Sequence, residues 1–215
     1  MIFHLLSKSN VVCQENMNRN DIINRLVEND STVLSFPDRC EEWGSNKYHG
    51  NCTGWIHAFL IWKYKVKKFA EIFAGSGTGY DVCRDMGIPY IGADLNPNPV
   101  RSGIMPIDVI SEDVPAAFCD ADMIFMHPPY GQEIGIPYAG AMYPDPTGEL
   151  SRCDLGQMPW EEFISSLNAV IMKYYASMMP GCPNVHSYGG CTAQWQVLLH
   201  AVRYSETWGI AADCR

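Results

Sequence analysis

Three alternating glycines close an apolar run in Glu71-Ile72-Phe73-Ala74-Gly75-Ser76-Gly77-Thr78-Gly79. The run from Phe69 to Ala74 suits a β-strand, and Tyr80 to Met86 reads as a helix. Glycine at such a junction lets the backbone turn sharply and lets a ligand approach the main chain. The first N–H groups of the following helix then face the same space. Alone, the pattern fits a nucleotide-like cofactor site or an ordinary tight turn. The stretches that follow favour the cofactor. Pro89-Tyr90-Ile91-Gly92-Ala93-Asp94 reads as a second strand ending in a carboxylate, placed to accept hydrogen bonds from ribose hydroxyls. Asp122-Met123-Ile124-Phe125-Met126 reads as a third, buried strand that delivers His127-Pro128-Pro129-Tyr130.

Over roughly Ser35 to Gly181, this order resembles a class I S-adenosylmethionine-dependent methyltransferase of the DNA amino-methylating type. The resemblance implies an α/β, Rossmann-like fold, with a mostly parallel twisted sheet flanked by helices. It also implies that S-adenosyl-L-methionine is held by Phe73, Gly75, Gly77, Gly79 and Asp94. Glu71 sits where such enzymes place a carboxylate that reaches cofactor-bound water or the amino group, and Leu95 is expected against the adenine. Asp108, in Ile107-Asp108-Val109-Ile110, resembles the position contacting the adenine amine; it reads equally well as a turn or helix-capping Asp. Lys47-Tyr48-His49-Gly50-Asn51-Cys52-Thr53-Gly54 looks like the segment that folds over the methionine end of the cofactor, with Lys47, Tyr48, Asn51 and Thr53 as candidate contacts. The plainer alternative for that segment is a surface connection ending in a helix cap.

The tetrapeptide carries the expected chemistry. Methyl transfer from a sulfonium is an in-line displacement in which positioning supplies much of the rate. An exocyclic amine on adenine or cytosine is a poor nucleophile, because its lone pair is delocalised into the ring. Acceptors on both amine protons draw the nitrogen towards tetrahedral geometry and localise that pair. By the resemblance these acceptors are His127 and the Pro128 carbonyl, with Pro129 stiffening the loop and Tyr130 stacking on a base swung out of the duplex. The family more often has Asp, Asn or Ser at the first position, and His127 gives a variant of phage-like and mobile-element enzymes, of the kind found in restriction–modification systems. A neutral imidazole accepts one hydrogen bond, whereas an imidazolium accepts none. Such a His version loses activity at acid pH.

Composition bears on the partner. A net charge of −9 counts mildly against a DNA substrate, which a local basic patch could still serve. Lys63, Lys65, Lys67 and Lys68 form the only dense basic cluster, either a solvated helix end or a phosphate contact. DNA is the expected transient substrate, with RNA or a protein amide as alternatives, and an inactive, truncated remnant that binds cofactor weakly or not at all as a third reading. The nine cysteines lack a Cys-x-x-Cys pair, so reduced thiols in a cytoplasm are expected, with no metal site. No secretory leader is evident, and the apolar run Trp55 to Trp62 falls short of the roughly 20 residues that span a bilayer.

The chain divides into an extension (1–34), a catalytic domain (35–181) and an aberrant tail (182–215). Asp21 to Val27 reads as a short helix capped by Asn20 or Asp21, covering a sheet edge or serving as a recognition arm. Val114 to Cys119 reads as a short helix, and Trp160 to about Met178 as a long one. Between them, Gly131 to Pro159 is aperiodic and rich in Gly, Pro and Tyr, a candidate substrate lid. After Gly181 no strand pattern is evident. Read one base later, the codons for Tyr188 to Gln196 permit Met-Gly-Asp-Val-Arg-Arg-Asn-Gly-Lys, close to the Gly-Asp-Val-Arg-like sequence expected there. The same shift over Cys182 to Ser187 permits Ala-Arg-Met-Phe-Ile-Leu, a plausible buried strand. The tail is therefore expected to be frameshifted, with the C-terminal strands missing or disordered.

Overall fold

The computed structural model describes residues 17–27, 36, 38–48, 50–132 and 152–178, together with the backbone of 196–199. Five strands form one parallel sheet: β1 (Phe69–Ile72), β2 (Tyr90–Asp94), β3 (Ile104–Pro106), β4 (Met123–Met126) and β5 (Gln196–Leu199), in the order β3-β2-β1-β4-β5. Register is set across the centre by Phe69 opposite Tyr90 on one side and opposite Met123 on the other. The chain first builds outward from β1 to β3, then crosses to the other side of β1 for β4. That reversal opens a crevice beyond the carboxyl ends of β1 and β4.

Alternation along the strands assigns each face a core. Phe69, Met123 and Phe125 point to one side, where they meet α2 (Gly54–Lys63) and α3 (Thr78–Met86) through Trp55, Ala58, Val82 and Met86. Ala70, Ile72, Ile124 and Met126 point to the other, against Val170, Tyr174 and Met178 of α4 (Trp160–Met178). Both faces are covered, so the central strands are buried at every position. Each fully buried Phe, Ile or Leu contributes about 1.5–3 kcal/mol to that closure.

Helix α1 (Arg19–Val27) buries Ile22 and Leu26 against α2 and α3, rather than covering a sheet edge. Its cap is Asn18, whose Oδ1 accepts the N–H groups of Asn20 (3.0 Å) and Asp21 (3.1 Å). The expected caps, Asn20 and Asp21, are thus the capped residues. Arg25 lies over the Trp55 ring, 4.3 Å from its centroid, and pairs with Asp38. The short helix expected over 114–119 is a 3-10 turn, Ala116–Phe118, which buries Phe118 against Tyr174.

Two strands were not expected. The strand β3 pairs with β2 from Gly92 opposite Ile104 to Asp94 opposite Pro106. The strand β5 pairs with β4 over Met123 to Met126, which corrects the expectation that the tail contributes no strand. A bare sheet edge offers unpaired N–H and C=O groups, and a short extended segment satisfies them. The rest of the tail, the extension before Met17 and residues 133–151 of the candidate lid lie outside the described residues. Among the described residues, no helix is long and apolar enough to cross a membrane.

Candidate functional site

The segments following β1, β2, β3 and β4 converge at one end of the sheet. They enclose a cleft of about 840 Å³, counting space open to solvent. Its walls include Glu71, Phe73, Gly75, Asp94, Leu95, Asp108, His127, Pro128 and Pro129, all singled out by sequence, and Tyr48 and Asn51 close it from the loop before α2. Lys47, Thr53, Gly77, Gly79 and Tyr130 are not among the lining residues.

The turn after β1 is the tightest part. Phe73 has a φ of +63°, in the left-handed region that a bulky side chain occupies at a cost of about 1–3 kcal/mol. Gly75 follows at +51°, where a Cβ would sit 3.0 Å from the Tyr48 ring. Gly77, at +79°, is the residue before α3, and no side chain caps that helix. Thr78 of its first turn lines the cleft.

Gly77 and Gly79 are held in close packing. A Cβ at Gly77 would meet Arg101 Cγ at 2.6 Å, and one at Gly79 would meet Glu71 Oε2 at 2.3 Å. Gly79 therefore lets α3 close directly onto the β1 carboxylate. Of the three glycines, Gly75 is the one that lines the cleft.

Asp94 is 7% exposed and holds the loop together. Its Oδ2 accepts the Gly75 N–H at 2.7 Å and its Oδ1 accepts the Asn96 N–H at 2.9 Å. Burial raises its pKa, and the bonds from Asn96 and Gly75 pull it back down. Each carboxylate oxygen retains a lone pair for a further donor such as a ribose hydroxyl.

Glu71 is differently committed. Its Oε1 lies 2.9 Å from His57 Nε2, and its Oε2 accepts the Tyr90 hydroxyl at 2.7 Å. The carboxylate expected to reach a cofactor thus anchors a buried network. Asp108 caps a turn, accepting the Ile110 N–H at 2.9 Å and the Ser111 hydroxyl at 2.5 Å, while still lining the cleft. The structure bears out its turn-forming role.

The segment before α2 is tied to the glycine loop. Asn51 Oδ1 accepts from Thr78 Oγ1 at 2.5 Å and from Ser76 Oγ at 3.2 Å, while Asn51 Nδ2 donates to the Ser45 carbonyl at 3.1 Å. The Gly44 N–H donates to Asp81 Oδ2 at 2.9 Å, and Arg101 clamps the same carboxylate with two bonds of 2.9 Å. These ties place Tyr48 over Gly75. Lys47 is exposed, and Thr53 sits at the N-terminus of α2 with its hydroxyl buried and unpartnered among the described residues. His49 lies outside the described residues.

On the opposite wall, His127 and Tyr130 meet edge to face, with ring centroids 6.2 Å apart and the Tyr130 hydroxyl 3.4 Å from His127 Nε2. Burial raises the Tyr130 pKa, with a further push from the Cys52 thiol. Cys153, Asp154 and Leu155 complete the wall at the end of the long aperiodic segment. Asp154 is 3% exposed and accepts the Gly156 N–H at 2.8 Å.

Sequence reasoning missed Ser76, Thr78, Cys52, His57 and Asp154 as cleft residues. The first two sat inside the glycine motif, where the signal was available. The others become neighbours only through the fold. Among the described residues, no cluster of His, Cys, Asp or Glu could hold a metal ion. The basic cluster lies away from the cleft, at the amino end of the sheet: Lys67 and Lys68 donate backbone N–H bonds to Asp122, just before β4, and Lys68 Nζ pairs with Asp120. No protein-family model, curated protein or solved structure matches the chain.

Proposed function

We propose that this chain is a Rossmann-like class I methyltransferase, transferring a methyl group from S-adenosylmethionine to the exocyclic amine of adenine or cytosine in DNA. One observation carries the reading: the glycine turn with Asp94 and the His127-Pro128-Pro129 segment line the same cleft, at the crevice beyond β1 and β4. The residues present fit the cofactor. Asp94 offers buried acceptors to ribose hydroxyls, Phe73 and Leu95 offer apolar surface to the adenine, and the uncapped start of α3 offers N–H groups. When bound there, the cofactor supplies an electrophilic methyl group on a sulfonium.

The chain's own work is to hold the target nitrogen. A neutral His127 imidazole accepts one amine proton and the Pro128 carbonyl accepts the other, which localises the nitrogen lone pair. The ring of Pro129 limits backbone rotation, so the carbonyl keeps its direction. Tyr130, packed edge-on against His127 from outside the cleft lining, steadies the imidazole plane.

A second reading has its own observation. Between Arg101 and Arg152 the sequence has no Lys or Arg, and that stretch contains the tetrapeptide and the first twenty-one residues of the candidate lid, 131–151. A polyanion draws much of its affinity from cationic side chains. The same acceptor pair would serve a protein amide nitrogen, which carries no phosphate. Offering tritium-labelled S-adenosylmethionine with DNA, RNA and protein extracts separates the two. Label in DNA supports the first reading, label in protein the second, and label in none of them overturns the methyl-transfer assignment.

A further inference from the structure

Behind the glycine turn lies a chain of polar groups that methyl transfer does not use. Cys52 lines the cleft and is half-buried, with its Sγ 3.7 Å from His57 Nδ1. The other ring nitrogen, Nε2, lies 2.9 Å from Glu71 Oε1, and Glu71 Oε2 accepts the Tyr90 hydroxyl. His57 is 1% exposed and wedged between Phe125 and Phe69, with ring centroids at 4.4 and 5.9 Å. Its ring therefore cannot turn away from either partner. A nucleophile, a base within hydrogen-bond reach and a carboxylate that orients the base are the parts of an activated thiol.

We propose that Cys52, His57 and Glu71 form a thiolate–imidazolium–carboxylate relay that makes Cys52 the nucleophile of the cleft and a modification site for small, soft carbon electrophiles. The inference does not rest on the methyl-transfer reading. The proton leaves Sγ for His57 Nδ1, and Nε2–H donates to Glu71. Cys52 sulfur attacks the electrophilic carbon; the S–C bond forms as the bond to the leaving group breaks, and the leaving group departs with its electron pair. The proton stays on His57.

The electrostatics agree with this geometry. Burial pulls the His57 pKa down, but Cys52 and then Glu71 outweigh it and lift it from 6.5 to about 10. Among the described residues, the other titratable groups interacting with the relay are Tyr90, Cys83 and Asp94, through Glu71, and Tyr130, through Cys52. None of them is a cation that would compete with the imidazolium for the thiolate.

Iodoacetamide on the folded full-length chain, with each cysteine followed by peptide mass spectrometry, tests the relay. At pH 6.5, Cys52 should be alkylated at least about tenfold faster than Cys119 or Cys153, because the thiolate is the reacting species. Its rate should climb less steeply with pH than those of Cys119 and Cys153, because its proton is shared with His57. His57→Asn should bring Cys52 to within about twofold of Cys119, and Glu71→Gln should produce a smaller loss in the same direction. A Cys52 rate that climbs with pH like the other thiols, or one unchanged by His57→Asn, overturns the proposal. If either variant fails to fold, the pH profile of the unmodified chain decides alone.

Discussion

Asp94→Ala should destabilise the protein before any ligand is considered. The substitution orphans two N–H groups, those of Gly75 and Asn96, which the carboxylate accepts at 2.7 and 2.9 Å in a site 7% exposed. Leaving a buried donor unsatisfied costs about 1–3 kcal/mol, so the pair amounts to about 2–6 kcal/mol. Removing a carboxylate whose charge is disfavoured by burial offsets part of that loss. About 2–4 kcal/mol should remain, a large share of the 5–15 kcal/mol typical of a domain. In urea, with a slope of about 2 kcal/mol per molar, the midpoint should fall by about 1–2 M. Asp94→Asn keeps one acceptor and sets an NH2 group against the other N–H, so it should fall between. Both variants should also bind S-adenosylmethionine more weakly in calorimetry. An Asp94→Ala midpoint within about 0.2 M of the parent, measured without ligand, would refute the loop-anchoring role.

Gly79→Ala should cost about 1–3 kcal/mol in the same urea assay, because its Cβ would lie 2.3 Å from Glu71 Oε2, a buried atom fixed by Tyr90. The His57 pKa is raised from 6.5 to about 10 on folding, but below about pH 8.5 the unfolded chain carries the same proton on the Cys52 thiol, so the stabilisation is lost between about pH 8.5 and 10, by at most about 1.4 kcal/mol per pH unit. Melting temperatures recorded from pH 6 to 10 should show that decline in the parent and a flatter curve in His57→Asn. His127→Ala should abolish transfer in the labelled-cofactor assay with cofactor affinity within a few-fold, whereas His127→Asn should retain transfer and resist acid, since an amide oxygen accepts at any pH. Trimming the chain after Gly181 removes β5 and bares the β4 edge, so it should lower stability, and restoring the expected frame should raise stability and activity together.

The parts of the site that lie within one strand and its following turn were legible in the sequence. Phe69 to Gly79 reads as strand, turn and helix because apolar residues and glycines change over within a few positions. The placement of Asp94 at the end of β2 and of His127-Pro128 after β4 was legible for the same reason, each closing an apolar run. The strand β3 did not, since three residues ending in Pro106 carry almost no periodicity and are defined only by pairing with β2. Asp94 was read as a ligand contact, but its role in bonding Gly75 could not be seen from a spacing of nineteen residues. The relay from Cys52 to Glu71 was equally hidden. A lone Cys, a lone His on an apolar helix and a strand Glu carry no joint pattern until α2 packs on β1.

The cleft carboxylates explain why fold and site cannot be varied separately. Asp94 fixes the glycine turn, Asp108 fixes the turn after β3, and Glu71 joins α2 to β2 through His57 and Tyr90. Behind them, Asp81 gathers Gly44, Arg84 and Arg101 around the start of α3. Each of these side chains satisfies backbone or ring donors that the fold would otherwise bury unpaired. The cleft loops are therefore already held in place, and most of their ordering entropy is lost on folding. The same economy confounds any mutation of Glu71, Asp94 or Asp108, because lost activity can follow from a loosened loop. His127 and Pro128 stand after β4, outside these carboxylate ties. Substitution there is the cleaner probe of chemistry, and substitution at Asp94 the cleaner probe of architecture.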